Sequence, residues 1–285
     1  PECDPDLPAR YTAAESEGKT LCKAALQQEL GLAQEEGTPV LSMVTRLVGH
    51  KGVDLVCQAL DGIMATGCQL VVLGSGDGGY ENFFRHAQNR YPGRLCAWIG
   101  YNEGLSRRIY AGSDLFLMPS KSEPCGLSQM IAMRYGAVPI VRQTGGLNDT
   151  VRSCQVGQPD GNGYVFAAYD AGAMLDTIGQ AVGLYHGDAE GFRMVRRRGM
   201  EGDFSWDRSA GAYRNIYGKL LGREVPEAIQ EDIYDLYEGN IAGGHRAEAA
   251  AELRLHGEAG HRRRDHEGLR SGAAGYHGRA GGAYP

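Results

Sequence analysis

The stretch that decides the fold is residues 39–60, PVLSMVTRLVGHKGVDLVCQAL. Residues 40–45 form a short, mostly apolar run, which indicates a buried strand. After the turn at 45–52, an amphipathic stretch begins and predicts a helix over 53–65. A strand, a turn and a helix in this order make up the first part of a βαβ unit, from which parallel sheets are built.

The same alternation continues for more than a hundred residues. Further short apolar runs predict strands at 70–73, 95–99, 114–118 and 138–141. Amphipathic stretches predict helices at 80–90, 105–111, 127–135, 171–185, 192–200 and 209–221. This pattern predicts an α/β fold, a Rossmann-like parallel sheet with helices on both faces. In such a sheet the ligand binds at the carboxyl ends of the strands, so the turns after the strands are expected to carry the chemistry.

The composition is that of a globular protein. The 285 residues are 42% hydrophobic and 22% charged, which excludes a collagen-like or wholly disordered chain. No apolar run approaches the roughly 20 residues that cross a bilayer, so no membrane association is expected. The 29 Lys and Arg residues against 35 Asp and Glu give a net charge of −6, which disfavours a general attraction to nucleic acid. Any bound phosphate must therefore be held by local groups.

Seven cysteines are scattered without CxxC or Cys/His spacing, so neither a disulfide framework nor a zinc site is predicted. This usage favours a reducing, cytoplasmic compartment. The chain begins with Pro1 rather than Met, and a fragment or processed piece is expected. Three regions are predicted: an inter-domain segment at 1–38, a Rossmann-like domain at 39–221, and a disordered low-complexity tail at 222–285 that is rich in His, Arg, Gly and Ala.

The turn after the first strand contains two cations, Arg46 and Lys51. Arginine binds phosphate with a bidentate fork, and lysine acts as a mobile point charge. Placed together, the two side chains can neutralise a pyrophosphate. The alternative is a solvated loop with two ordinary surface charges.

The glycine-rich segment 73–79, LGSGDGG, partly matches the dinucleotide-binding pattern GxGxxG. That pattern is expected after the first strand of the sheet, whereas this segment follows the second. A tight turn whose glycine has a positive φ is therefore the favoured interpretation.

A carboxylate follows the fourth strand in the segment 118–129, MPSKSEPCGLSQ. The backbone N–H groups where Gly126 and Ser128 open a helix suit an anion, and Glu123 can accept hydrogen bonds from neutral hydroxyls. A carboxylate beside an anion site is unfavourable unless it binds an uncharged group, and a sugar is such a group. The alternative is a capped helix with a surface glutamate.

The turn after the fifth strand contains Thr144, Gly145 and Gly146. Two glycines allow the backbone to approach a ligand closely, and the turn can supply further N–H donors. Together the turns after these strands offer two cations, two helix N-termini and one carboxylate. They predict a nucleotide-sugar site that needs no metal.

These residues closely resemble those of bacterial glycogen synthases and plant starch synthases. The matching segments are TRL at 45–47, KG at 51–52, IGY at 99–101, PS at 119–120, EPCGL at 123–127, MRYG at 133–136, PIVR at 139–142 and TGGL at 144–147. The segment DFSW at 203–206 resembles the end of the family's catalytic region, so the resemblance covers about residues 1–221.

The resemblance implies the C-terminal, donor-binding half of a retaining GT-B glycosyltransferase. Such an enzyme transfers glucose from ADP-glucose to the nonreducing end of an α-1,4-glucan, without a metal or cofactor. It also implies that Arg46 and Lys51 hold the diphosphate, that Glu123 binds the glucose hydroxyls, and that Tyr101 stacks near the adenine. The pocket residues implied in the same way are Cys125, Gly126, Leu127, Thr144, Gly145 and Gly146. Transfer is expected on the front face, where a phosphate oxygen helps to deprotonate the acceptor.

The sequence departs from the family in several places. The N-terminal acceptor domain, with its Lys-x-Gly-Gly-Leu motif, is absent, so the chain alone is expected to bind the donor and to transfer poorly. Lys121 and Ser122 stand where the family usually has Arg-Phe, and His50 stands where Gln is common. The compartment implied is the cytoplasm, or the plastid of a plant or alga.

Two alternatives remain open from the sequence. One is another retaining GT-B enzyme that uses a UDP-sugar, such as a sucrose synthase. Many such relatives carry a second glutamate eight positions after the first, and Ile131 occupies that position here, which favours the synthase. The other is a sugar-nucleotide-binding module without turnover.

Overall fold

The structure, a computed structural model that describes residues 1–154 and 161–222, is built around a six-stranded parallel sheet. The strands are β1 (Val40–Val44), β2 (Gln69–Gly74), β3 (Leu95–Ile99), β4 (Leu115–Met118), β5 (Val138–Arg142) and β6 (Tyr164–Phe166). Their order across the sheet is β3-β2-β1-β4-β5-β6, and neighbouring strands are parallel. The predicted Rossmann-like α/β fold is confirmed.

Helices follow the strands in the predicted alternation. They are α1 (Glu17–Glu29), α2 (Val53–Ala65), α3 (Gly78–Arg90), α4 (Glu103–Gly112), α5 (Ser128–Arg134), α6 (Gly145–Thr150), α7 (Ala171–Gly187), α8 (Ala189–Met200) and α9 (Trp206–Leu221), with a 3₁₀ turn at Gly49–Lys51. In the described part of the chain, no helix has both the length and the apolar character needed to cross a bilayer.

The chain divides into two compact units, Pro1–Arg208 and Ser209–Pro285. The sheet lies within the first unit. Of the described residues of the second, 209–221 are helical and belong to α9, which ends before Gly222. The predicted division at residues 38 and 221 stays a prediction. All but the first residue of the predicted tail lies outside the described residues.

Helices cover both faces of the sheet because the side chains of each strand alternate between them. Leu41 packs into a core with Ile63 of α2 and other residues of α2, α3 and α7. The preceding residue, Val40, faces the other way and packs with Leu26 of α1 and Ile109 of α4. Full burial of one such side chain contributes about 1.5–3 kcal/mol. The two cores therefore fix the strand register, since a slip of one residue would exchange the faces.

The strand order reverses between β1 and β4. The chain leaves β1 toward β2 on one side and leaves β4 toward β5 on the other. The turns after these two strands therefore diverge and leave a crevice at the carboxyl ends, which is where ligands bind in sheets of this kind. The turn 45–52 and the segment 119–127 are the two that flank this crevice.

Two elements were not predicted, α1 and β6. The buried face of α1 includes Lys19, Lys23 and Gln27, so it gives little apolar periodicity. The Lys19 ammonium donates hydrogen bonds to the carbonyl oxygens of Ala111 at 2.9 Å and Tyr135 at 2.8 Å, while burial lowers the pKa of Lys19 well below its usual value. Strand β6 has three residues, too few for an alternating pattern.

A buried charge cluster ties helices to the amino ends of the two central strands. Asp114, just before β4, accepts hydrogen bonds from Lys23 Nζ at 2.7 Å and from the backbone N–H of Val40 at 3.1 Å. Its other oxygen lies 3.0 Å from Arg196 Nη2. Burial by itself lowers the pKa of Lys23, but the Asp114 carboxylate outweighs it and leaves the pKa raised. The cluster holds α1 and α8 where β1 and β4 begin.

The prediction of a positive φ in the glycine-rich segment 73–79 is wrong, since none of its glycines has one. A Cβ atom on Gly74 would overlap the carbonyl oxygen of Thr45, and one on Gly76 would overlap that of Leu47. Leu47 also forms an isolated parallel bridge with Gly76. Glycine is therefore required at positions 74 and 76 because the backbone of the turn after β1 packs directly against them.

We expect Asp114→Asn to lower the free energy of unfolding by about 3 kcal/mol, because it leaves the buried Lys23 and the partly buried Arg196 without a compensating charge. Urea unfolding followed by circular dichroism measures the change. The matched control is Asp61→Asn, which removes an exposed ion pair with Arg90. Solvent screens that pair, so little change is expected. Equal losses in the two variants would contradict the role assigned to Asp114.

Candidate active site

Two of the predicted site residues meet across the crevice. The Lys51 ammonium, in the 3₁₀ turn after β1, lies 2.6 Å from Oε2 of Glu123, which follows β4. Glu123 is 8% exposed, so little water competes for its carboxylate. The structure thus joins a cation and a carboxylate at the point where the strand order reverses.

The position of Glu123 is set by its neighbours. Ser120 Oγ donates a hydrogen bond to Glu123 Oε2 at 3.2 Å. The backbone N–H of Gly146 is shared between the carbonyl oxygens of Glu123 at 3.1 Å and Pro124 at 3.2 Å. Gly145 has a φ of +45°, and a Cβ atom there would overlap the Glu123 carbonyl oxygen. The two glycines therefore allow α6 to begin directly against the Glu123 backbone, and the Gly146 N–H serves this contact.

The turn that carries Lys51 is joined to the same segment through the backbone. The N–H of Lys121 donates to the carbonyl oxygen of His50 at 2.9 Å. Gly52 has a φ of +74°, and a Cβ atom there would overlap the carbonyl oxygen of Pro119. Close packing of the two turns therefore depends on glycine at this position.

The second predicted cation faces solvent. Arg46 is exposed, and its Nη2 lies 3.4 Å from Nε2 of His50 in the same turn. An exposed guanidinium in the same turn as Lys51 gives this edge of the crevice two cations and one carboxylate. Such a set can bind a ligand that carries both phosphate and hydroxyl groups.

The loop before α5 presents side chains at the surface. Cys125 is exposed and Leu127 is 65% exposed. Between them, Gly126 has a φ of +75°, and its carbonyl oxygen accepts a hydrogen bond from Gln129 Nε2 at 2.8 Å. A Cβ atom on Gly126 would lie 2.6 Å from Gln129 Oε1. Gln129 therefore holds the backbone of the loop at Gly126, while the side chains of Cys125 and Leu127 remain exposed to solvent.

Two more predicted residues lie at the same edge of the sheet. Tyr101 follows β3 and is 85% exposed, so its ring is accessible to a planar ligand. It is two strands away from the turn after β1. Thr144 immediately precedes α6 in an extended conformation. The roles assigned to these residues from the sequence stay predictions.

The structure adds side chains that the sequence did not indicate. Ser120 supports Glu123, as described above. Tyr169 contacts the start of α2 and the turn before it: its hydroxyl lies 2.5 Å from Asp54 Oδ1 and 3.3 Å from the carbonyl oxygen of Gly49. Tyr169 follows β6, which was not predicted. Recognition of the apolar run Tyr164–Phe166 as a strand would have placed Tyr169 at the carboxyl edge of the sheet.

A different cavity, of about 610 Å³, opens near the amino ends of the strands. Its lining includes Lys19, Lys23, Asp114 and Arg196. Lys23 and Arg196 both pair with Asp114, and Lys19 binds carbonyl oxygens. These charges serve the attachment of α1 and α8. The described residues also contain no group of three His, Cys, Asp or Glu side chains arranged to hold a metal ion.

Comparison with known proteins gives the relationship of the chain. Residues 28–184 match the family of glycosyl transferases group 1. The glycogen synthase of Geobacillus thermodenitrificans is 47% identical over 224 residues, which are 79% of this chain and 46% of that protein. The chain therefore spans about half the length of the curated relatives that it matches.

Solved structures agree with this relationship. The catalytic domain of starch synthase IV from Arabidopsis thaliana, bound to ADP and acarbose, superposes with a TM-score of 0.72 at 37% identity, covering 78% of this chain and 47% of that one. The sucrose-phosphate synthase of Thermosynechococcus elongatus gives a TM-score of 0.53 at 22% identity, covering 70% of this chain and 49% of that one, a likeness of fold alone.

The predicted resemblance to glycogen and starch synthases is thus confirmed by both sequence and structure. The family match covers more than half of the chain and includes all six strands described above. The chain therefore belongs to the glycosyl transferases group 1.

Proposed function

We propose that this chain is the donor-binding part of a glycogen or starch synthase. The whole enzyme would transfer glucose from ADP-glucose to the nonreducing end of an α-1,4-glucan with retention of configuration. The observation that carries the proposal is the Lys51–Glu123 pair at the crevice of the sheet, with Arg46 exposed in the same turn as Lys51. The 47% identity to a glycogen synthase supports the choice of this activity within the family.

The diphosphate of the donor binds to the turn after β1. In the structure the charge of Lys51 is balanced by Glu123 at 2.6 Å. A diphosphate in the crevice carries more negative charge than one carboxylate, so it attracts the Lys51 ammonium and the exposed Arg46 guanidinium. These cations stabilise the charge that develops on ADP as it leaves, so the site needs no metal for this step.

The glucose binds beside Glu123. Once Lys51 turns toward phosphate, the carboxylate can accept hydrogen bonds from sugar hydroxyls. Its backbone is fixed by Gly146 and its side chain by Ser120, so it can orient the sugar ring with little loss of entropy on binding. Glu123 thus positions the ring, while a phosphate oxygen of the donor receives the acceptor's proton on the same face.

The base and the acceptor complete the proposal. The exposed ring of Tyr101 provides a surface on which adenine can stack, and ADP is the nucleotide bound in the related starch synthase structure. The α-1,4-glucan binds chiefly outside this chain, which spans 46% of the related glycogen synthase. The free cysteines fit a reducing compartment, either the cytoplasm or a plastid.

Donor preference is the first test. Calorimetric titration of the chain with ADP-glucose and, in parallel, with UDP-glucose is expected to give tighter binding of ADP-glucose. Equal or reversed preference would assign the chain to the wider group of enzymes that use UDP-sugars. Absence of binding to either ligand by a folded chain would overturn the proposal that this chain holds the donor.

Arg46→Ala is expected to weaken ADP binding by about 1.5–3 kcal/mol, because a charge-assisted contact with phosphate is lost. Calorimetry with ADP measures the change. Arg90→Ala serves as the matched control, since Arg90 pairs with Asp61 on a different surface and should leave the ADP affinity unchanged. Unaltered ADP binding by the Arg46 variant would show that the diphosphate lies elsewhere.

The variant Glu123→Gln distinguishes the contribution of the sugar to donor binding from that of the nucleotide. The variant removes the charge that holds Lys51, so ADP should bind at least as tightly as before. ADP-glucose should lose its advantage over ADP, because an amide accepts hydrogen bonds from hydroxyls more weakly than a carboxylate does. Glu29→Gln, at an exposed pair with Arg108, is the control. A parallel loss of affinity for both ligands would contradict a role specific to glucose.

A further inference from the structure

Tyr169 contacts the turn after β1, although it follows β6, the strand at one edge of the sheet. It lies between β6 and α7, yet its hydroxyl donates to Asp54 Oδ1 at 2.5 Å and also lies 3.3 Å from the carbonyl oxygen of Gly49. Gly49 begins the 3₁₀ turn that contains Lys51. Burial, with added effect from Asp54, raises the pKa of Tyr169, so the hydroxyl keeps its proton and remains a donor.

The ring of Tyr169 contacts the other side of the crevice. Lys121 Nζ and Arg142 Cζ each lie 5.6 Å from the ring centroid, within the range of cation–π attraction. Arg142 also donates hydrogen bonds to the carbonyl oxygens of Ser120 at 2.8 Å and Lys121 at 2.5 Å. The ring therefore packs against the cations that hold the segment leading to Glu123.

The geometry points to Tyr169 as a positioning residue of the donor site, one that fixes the Lys51 turn relative to the Glu123 segment. The inference rests on the proposed function and deepens it. Tyr169 is only half-buried, so water could satisfy its hydroxyl if the hydroxyl served stability alone. Instead its hydroxyl contacts Asp54 and Gly49 on one flank of the crevice, and its ring contacts Lys121 and Arg142 on the other.

We expect Tyr169 to hold the Lys51 turn in its binding conformation before the diphosphate arrives. A turn that is already fixed loses less conformational entropy when the diphosphate binds, so affinity is higher. Removal of the hydroxyl releases the side chain of Asp54, in the first turn of α2, and removes the longer, weaker contact with the Gly49 carbonyl oxygen. The Lys51 turn must then be ordered by the donor itself, and the free energy of binding decreases accordingly.

The first experiment compares two tyrosine variants of the full chain by calorimetry with ADP. Tyr169→Phe is expected to bind ADP about tenfold more weakly, which corresponds to about 1.4 kcal/mol. Tyr185→Phe is the matched control: its hydroxyl contacts Lys23 and the carbonyl oxygen of Glu36, away from the crevice. It should change stability toward urea without changing ADP affinity. Urea unfolding of both variants separates the two effects.

A double-mutant cycle with Asp54 tests whether Tyr169 acts through the contact seen here. Asp54→Ala and Tyr169→Phe should weaken ADP binding to a similar extent, and the double variant should be no weaker than either single one. Asp54→Asn keeps an oxygen that can accept from the tyrosine and should restore most of the affinity. These variants also test the inference from the Asp54 side if Tyr169→Phe proves unstable.

The outcomes distinguish the two proposals. If the unaltered chain does not bind ADP, the proposed function fails. If the unaltered chain binds ADP and Tyr169→Phe binds it equally well, the donor site stands and the positioning role of Tyr169 is wrong. Additive losses in the cycle, or failure of Asp54→Asn to restore affinity, would also overturn the role assigned to the Tyr169–Asp54 contact.

Discussion

The pairing of β1 with β4 is the constraint on which the site depends. Their register pairs Leu41 with Leu115 and Ser42 with Phe116, in the amino-terminal part of both strands. The Asp114 cluster secures that end with charges that are paired and buried. At the opposite, carboxyl ends of these strands, the segments that follow β1 and β4 run to opposite sides of the sheet. One end of the strand pair is thus held together by paired charges, and the other opens into the crevice.

The end that opens into the crevice holds one balanced pair of charges. Lys51 and Glu123 neutralise each other at 2.6 Å. Gly52 allows their two segments to approach closely, and Gly145 allows α6 to begin against the Glu123 backbone. A chain with a net charge of −6 has no general attraction for phosphate. In the proposed function, recognition of an anionic donor therefore comes from the exchange of partners within this pair and from Arg46.

The sequence predicted the alternating strands and helices of the sheet, but it did not predict α1 or β6. Helix α2 begins and ends where the amphipathic pattern placed it, because its buried face is apolar. Helix α1 was missed because its buried face includes Lys19 and Lys23, which bind carbonyl oxygens and Asp114. The Lys51–Glu123 contact joins residues 72 positions apart. The sequence indicated that Lys51 and Glu123 follow strands and so lie at the same edge of the sheet. That the two residues are in contact depends on β1 and β4 being neighbours in the sheet, which the sequence did not show.

The contact between Tyr169 and Asp54 has a consequence for the order of folding. It joins residues 115 positions apart, so it forms only after a long segment of chain has closed on itself. Strands β1 and β2 lie close in sequence and can pair earlier. During synthesis, the turn that carries Lys51 therefore leaves the ribosome long before Tyr169 exists to fix it. The contact that Tyr169 adds to this turn is therefore made late, after the turn and the strand before it have been synthesised.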